Sequence, residues 1–158
     1  MTTRTVSIGC AALLLAACQP QDAAGDAGGA PAETAAAIIP DPDSTEPFAG
    51  IGADEVVRFT GTEPFWGGQV AGTTLTYTTP DNPDGTAMAV ARFAGRGGLA
   101  FSGTLDGAAF ELALTVLACS DGMSDRTYPF TVTLRIGDDL RNGCGWSERH
   151  PFEGPDKP

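Results

Sequence analysis

The segment from Cys119 to Pro129, CSDGMSDRTYP, brings carboxylates, hydroxyls, a thioether and a guanidinium together in a short stretch. These groups could bind a polar ligand or a protein partner, and loops held on rigid scaffolds often carry function. The same residue types also build turns, because Ser and Asp side chains hydrogen-bond to nearby backbone groups. Both interpretations stay open for the six candidate residues, which are Asp121, Met123, Ser124, Asp125, Arg126 and Tyr128.

A second segment, GTEPFW from Gly61 to Trp66, places a carboxylate beside two aromatic side chains. In a binding site, Trp66 and Trp146 would wall a small pocket that holds Glu63. In a structural interpretation, Phe65 and Trp66 cap the core at the start of a strand, and Glu63 pairs with an arginine or caps a turn. We therefore treat Glu63, Phe65 and Trp66 as a candidate pocket.

Neither segment has the residue pattern of a catalytic or metal centre. Asp121 and Asp125 could donate oxygens to calcium, but the alternating oxygen ligands and late Glu of an EF-hand loop are absent. His150 is the only histidine, has no nucleophile elbow near it and is expected at the surface. We expect no catalytic residue, no metal and no cofactor, and therefore a protein that is not an enzyme.

The elements that must position these segments have the pattern of β-strands. Phe110, Leu112, Leu114 and Val116 alternate with more polar residues, and so do the residues of a second series that begins at Tyr128 and ends at Ile136. Alternation with period two places one face on a core and the other in water. Asp106-Gly107 predicts a two-residue hairpin loop, and residues 80–85 predict a longer loop of turn residues.

No stretch shows the stripe of an amphipathic helix, and many short strands favour an antiparallel arrangement. We predict an all-β fold, a small antiparallel meander that closes either as a barrel or as a compact sandwich. Cys119 and Cys144 form an even pair that is expected to be a disulfide. The alternative is a metal site that includes His150, but two Cys and one His lack a fourth ligand and the paired spacing of zinc motifs.

The start of the chain has the features of a bacterial export signal. An apolar run from Val6 to Ala17 is too short to span a bilayer as a helix. It ends in Leu15-Ala16-Ala17-Cys18, which resembles a lipobox: an aliphatic residue, two small residues and the Cys that takes the lipid. We expect residues 1–17 to be a lipoprotein signal peptide and Cys18 to carry the lipid, with palmitate among its acyl chains. Gln19 in place of Asp favours the outer over the inner membrane.

Composition then divides the rest of the chain. Residues 18–55 are rich in Ala, Gly, Pro and acids and carry no Lys or Arg, so we expect a flexible tether with a reach of roughly 30–36 Å. Within the tether, Phe48 and Ile51 are candidates to pack on the domain. Residues 56–152 form the single β domain, and residues 153–158 are expected to be a disordered tail.

The chain has a formal net charge of −11, and eight of its acids lie in the tether. The domain carries ten acids and seven arginines, so it is only mildly acidic. Such a charge distribution argues against nucleic acid, which needs a basic patch.

The three segments GTEPFW, CSDGMSDRTYP and Asn142-Gly143-Cys144 resemble, in this order, a family of uncharacterised bacterial lipoproteins and periplasmic domains. The family shows a G-T-E-P-F-W segment, a C-x-D-G-M-S-D-x-x-Y-P segment and a closing G-C. The resemblance covers about Phe59 to Trp146 and implies an exported β domain with a Cys pair and no established biochemical role.

Three functions follow as hypotheses. The leading one is a membrane-anchored lipoprotein whose periplasmic β domain binds a periplasmic protein or a cell-wall component during envelope maintenance. One alternative is an inhibitor of a wall-degrading enzyme such as lysozyme, because membrane-bound lysozyme inhibitors are also small exported β-barrels with a disulfide. Their S-G-x-x-Y signature is absent here. The other alternative is a periplasmic protein that binds a small molecule or a metal.

Overall fold

The structure, a computed structural model, describes residues 40–155. The predictions on the signal peptide, Cys18 and most of the tether lie outside the described residues. The described residues contain eight strands, which are β1 (Val57–Thr62), β2 (Phe65–Ala71), β3 (Thr74–Thr79), β4 (Asn82–Ala94), β5 (Gly98–Leu105), β6 (Ala108–Cys119), β7 (Tyr128–Ile136) and β8 (Asp139–Ser147). They contain no helix with the length and apolarity needed to cross a bilayer.

Each strand pairs antiparallel with the next, and β8 pairs back onto β1 to close a barrel. The predicted all-β fold is therefore confirmed, and of the two predicted forms the barrel is the correct one. Closure leaves no unpaired edge among these strands. The Asp106-Gly107 hairpin is also confirmed: both residues have positive φ, at 50° and 85°, as a tight two-residue loop requires.

Alternating apolar residues fill the inside of the barrel. Phe110, Leu112 and Leu114 of β6 are at most 2% exposed, as are Phe130, Val132 and Leu134 of β7. They pack in one core cluster with buried side chains of β1, β2, β3, β4 and β5. Val116 and Ile136 pack at its border. The interior of the barrel is thus a core.

A strap from Phe48 to Glu55 closes one end of the barrel. Phe48 and Ile51 belong to the core cluster, although the composition of this segment is typical of a tether. The backbone N–H of Phe48 donates to the carbonyl of Gly95 at 2.7 Å, and Arg92 Nη2 donates to the carbonyl of Ile51 at 2.8 Å. Packed structure therefore begins at least eight residues before Val56.

The start of β4 differs from the predicted loop at residues 80–85. The strand already begins at Asn82, and its register with β3 shifts between Tyr77 and Thr79. Gly85, at φ 80°, lies within the strand against Thr76 and Thr78. Turn residues here form an irregular strand pair, because the bulge absorbs the residues that the pattern assigns to a loop.

Candidate functional site

The three singular sequence segments meet at one side of the barrel. Thr62 Oγ1 of the first segment donates to the carbonyl of Asp121 in the second at 3.3 Å. The predicted disulfide joins Cys119 to Cys144, with 5.6 Å between the two Cα atoms. Each pair of segments is thus linked, because the ring of Trp66 also lies beside Gly143 next to Cys144.

Asp121 organises the loop between β6 and β7. Its Oδ1 accepts from the backbone N–H groups of Met123 at 3.0 Å and Ser124 at 2.8 Å. Its Oδ2 accepts from Ser124 Oγ at 2.8 Å and from the Tyr128 hydroxyl at 3.1 Å. Both oxygens of this carboxylate are therefore used to hold the loop together.

These bonds set the protonation of Asp121. Burial by itself would raise the pKa of this carboxyl group. Hydrogen bonds from the Met123 and Ser124 backbone, the Ser124 hydroxyl and the Tyr128 hydroxyl outweigh burial and lower the pKa to about 2. Asp121 is therefore a permanently charged anchor near neutral pH, which suits a structural acceptor and does not suit a general base.

Arg126 ties the same loop to the end of the chain. Its Nε donates to the carbonyl of Pro155 at 2.8 Å, and its guanidinium lies 4.5 Å above the centre of the Phe152 ring. Thr127 and Glu153 exchange two backbone hydrogen bonds at 2.9 and 2.8 Å. Residues 153–155, which the sequence assigns to a disordered tail, therefore hold the loop in place.

Tyr128 does not begin the core face of β7 as the alternation predicts. Its ring is buried, but it lies 5.5 Å from Trp146 and 5.5 Å from Phe152 in a separate aromatic cluster outside the core. The register between β6 and β7 shifts between Val116 and Cys119, and Tyr128 is placed beyond this irregularity. The cluster contacts the loop through the Tyr128 hydroxyl, which donates to Asp121, and through the Phe152 ring, which lies against Arg126.

A groove of about 270 Å³ runs between this loop and the wall formed by β1, β2 and β8. Phe65 is 54% exposed on one side and Met123 is 65% exposed on the other. The groove is lined by Thr60, Thr62, Phe65, Asp121, Met123, Ser124, Arg126, Tyr128 and Trp146. Five of the six loop candidates thus line the groove. The sixth, Asp125, is exposed and does not line it.

The residues of the candidate pocket are separated by the alternation of β2. Trp66 is buried in the core at 3% exposure, whereas Phe65 points outward and Glu63 is exposed in the turn before it. Glu63 and Phe65 border an open groove of about 650 Å³ together with Arg141. Phe65 rather than the indole of Trp66 is therefore the accessible aromatic side chain of this segment.

Trp66 has a structural role that explains the glycines of two segments. A Cβ at Gly61 would lie 2.7 Å from Cζ2 of the indole, and one at Gly143 would lie 2.9 Å from the same atom. The glycines leave room for the ring against the barrel wall. Its Nε1 has no hydrogen-bond partner among the described residues, so the ring is held by packing, including contacts with Phe59 and Tyr77.

A cluster that the sequence does not reveal joins Glu55, Ser147 and His150. Ser147 Oγ donates to Glu55 Oε1 and lies 3.2 Å from His150 Nδ1, which is 3.3 Å from the same carboxylate. The His150 side chain is only 10% exposed, so the expectation of a surface histidine is wrong. These residue types occur in catalytic triads, but Ser147 is completely buried and bonds directly to the carboxylate. The cluster fastens the strap to β8.

No group of three or more His, Cys, Asp or Glu in residues 40–155 is placed to hold a metal ion. The groove presents Phe65 and Met123 as its exposed large apolar side chains, and several of its polar lining residues bond to one another. No protein-family model, no curated protein and no solved structure matches the chain.

Proposed function

We propose that the chain is a lipid-anchored protein of the bacterial cell envelope and that its barrel is a non-enzymatic module that binds a protein through the groove between Phe65 and Met123. The lipobox at Leu15-Ala16-Ala17-Cys18 and the disulfide support an exported, membrane-attached protein, since disulfides persist in oxidising compartments. The outer membrane is the favoured location, because Gln19 follows the Cys.

The observation that carries the proposal is the exposure of Phe65 and Met123 on opposite sides of one groove. Both oxygens of Asp121 and the hydroxyl groups of Thr62 and Ser124 are already engaged within the loop and the wall. A small polar ligand would find few free hydrogen-bonding groups there. An apolar side chain of a protein would instead bury Phe65 and Met123, and such anchors dominate protein interfaces.

The test is site-specific photo-crosslinking in cells that express the full chain. A benzophenone amino acid is placed at Phe65 or at Met123, and crosslinked proteins are identified by mass spectrometry. Gln69 is the control position, because it lies on the same strand and the same exposed face but does not line the groove. A protein captured at Phe65 and Met123 but not at Gln69 supports the proposal, and equal capture at all three positions contradicts it.

A wall-degrading enzyme such as lysozyme is the second candidate partner, because the described residues form a closed barrel with one disulfide, and membrane-bound lysozyme inhibitors are also small exported β-barrels with a disulfide. Fold alone does not give function, so the assay decides. Purified chain at micromolar concentration should slow lysozyme-driven lysis of cell walls, and Phe65→Ser with Met123→Ser should abolish the effect. Unchanged lysis with the wild-type chain excludes this partner.

A further inference from the structure

A second exposed apolar surface crosses the outer wall of the barrel from β4 to β8. Phe93, 68% exposed, stands at one end, and Leu140, 62% exposed, stands at the other. Between them lies a trough of about 410 Å³ whose floor includes Ala100, Ser102 and Ala113. Large exposed apolar side chains grouped in this way mark interaction surfaces in soluble proteins. None of these residues lines the groove between Phe65 and Met123.

The strand register makes the trough a regular row. Phe93 is paired with Ala100, Ala100 with Ala113, and Ala113 with Thr133, so these four residues lie side by side across β4 to β7. Neighbouring strands are about 4.8 Å apart, and the row is therefore about 14 Å long. It presents a large ring, two small residues and then a β-branched residue.

Such a row is complementary to itself. When two copies face each other across a two-fold axis that runs between β5 and β6, Phe93 of one copy meets Thr133 of the other, and Ala100 meets Ala113. The small residues allow the two walls to approach closely, and the two rings pack at either end of the contact. An interface of this kind is isologous, because both copies contribute the same patch.

The charges beside the row also fit a second copy. The adjacent row contains Ala91, Ser102, Glu111 and Arg135, and the ion pair between Glu111 and Arg135 measures 2.6 Å. The same axis places Glu111 against Ser102 and Arg135 against Ala91, so like charges do not meet. The chain has a net charge of −11, but the charges of Glu111 and Arg135 cancel, so this surface has no net charge. A neutral surface avoids repulsion between two acidic copies and offers no attraction to a strongly charged partner.

We infer that this trough is a homodimer surface, in which Phe93 of each copy packs beside the small-residue floor of the other. The surface is independent of the groove between Phe65 and Met123. Loss of partner binding at that groove would therefore leave the dimer intact.

Crosslinking between two differently tagged forms of the full chain tests the inference. One form carries Ala100→Cys and the other carries Ala113→Cys, and cells that express both are treated with a short membrane-permeant bis-maleimide. The control pair is Gln69→Cys with Thr76→Cys, which are paired in the same way on β2 and β3 outside the trough, at an exposed and a half-buried position. Two tagged wild-type forms, without the added cysteines, give the background level of crosslinked product.

We expect at least five-fold more crosslink between the two tags for the trough pair than for the control pair. Phe93→Asp on both forms should reduce this product to the control level, with an unchanged circular dichroism spectrum, because Phe93 is exposed. Phe65→Ser should leave the product unchanged. Equal products for the two pairs, or a trough product insensitive to Phe93→Asp, would overturn the inference. So would a trough cysteine that crosslinks only to another protein.

Discussion

At the scale of single residues, the candidate segments consist largely of side chains that contact one another. Asp121 accepts four hydrogen bonds, three from Met123 and Ser124 of its own loop and one from Tyr128 at the start of β7. Gly61 and Gly143 make room for Trp66. The residues that remain accessible after these contacts are few, and Phe65 and Met123 are the large apolar ones at this site. Many of the distinctive residues of these segments therefore serve to build the loop and the wall beside the groove.

Asp121→Asn should show how much the charge of this anchor contributes. The variant keeps its shape but loses an acceptor for Ser124 Oγ and the Tyr128 hydroxyl, so we expect a loss of about 1–3 kcal/mol in the free energy of unfolding at neutral pH. The pKa of Asp121 is lowered from 3.8 to about 2 on folding. Its contribution is therefore fully present above about pH 4 and is lost as the pH falls towards 2.

Urea denaturation of the wild type and of Asp121→Asn at about pH 7, pH 4 and pH 2.5 measures both effects. The difference between the two proteins should narrow on acidification. Asp125→Asn is the matched control, because its side chain is exposed in the same loop, and it should change stability by less than about 0.5 kcal/mol. A pH-independent difference would show that the charge of Asp121 is not the stabilising feature.

Gly143→Ala should disturb the seat of Trp66. The added Cβ would lie 2.9 Å from Cζ2 of the indole and closer still to the backbone carbonyl of Thr60. Overpacking of this kind costs about 1–3 kcal/mol, and the near-ultraviolet circular dichroism of the Trp should change. Gly97→Ala is the control, since no atom lies within 4 Å of its added Cβ. Equal stability of the two variants would contradict the packing role.

At the scale of elements, the sequence predicts what depends on local pattern. Alternation identifies β6 and most of β7. Asp106-Gly107 identifies the hairpin between β5 and β6, and the even pair of cysteines identifies the disulfide. The start of β4 is not predicted, because a register shift with β3 replaces a loop. Tyr128 packs with Trp146 and Phe152 rather than in the core cluster, next to a register shift between β6 and β7. Local periodicity carries no information about such irregularities between strands.

Contacts over long sequence separations are missed for a different reason. Glu55 reaches Ser147 and His150 only because the strap crosses the end of the barrel. Within the candidate site, the sequence identifies the loop and the aromatic segment but not which aromatic residue stays accessible. That choice follows from the phase of β2, in which Trp66 points inward and Phe65 outward.

Phe48→Ala tests whether the strap is part of the folded domain. Phe48 is 8% exposed at the end of the barrel, and its truncation should cost about 3 kcal/mol, the lower end of the range for buried Phe to Ala. Urea denaturation provides the measurement. Thr45→Ala, an exposed position three residues earlier, should be nearly neutral. A neutral Phe48→Ala would instead place the domain boundary near Val56, where composition alone puts it.

At the scale of the whole molecule, the core and the surfaces proposed for partners lie on opposite sides of the barrel wall. Its interior is filled by one core cluster, so the surfaces proposed for partners lie on the outer wall. The groove between Phe65 and Met123 and the trough beside Phe93 share no lining residue. A membrane-attached dimer would then present two partner grooves, which raises effective affinity for a partner fixed in the envelope.

The proposed anchor gives the last prediction. Cys18→Ser removes the thiol that would take the diacylglycerol, and acyl chains supply the hydrophobic burial that holds such a protein on a membrane. The variant should therefore lose palmitate labelling and leave the membrane fraction. Cys10→Ser, an apolar-run cysteine outside the lipobox, should retain both. The midpoint of urea unfolding should not change for Cys18→Ser, because the barrel and its strap begin well after this residue. Palmitate labelling that persists in Cys18→Ser would refute the lipid anchor, whereas the barrel, its groove and its trough would stand unaffected.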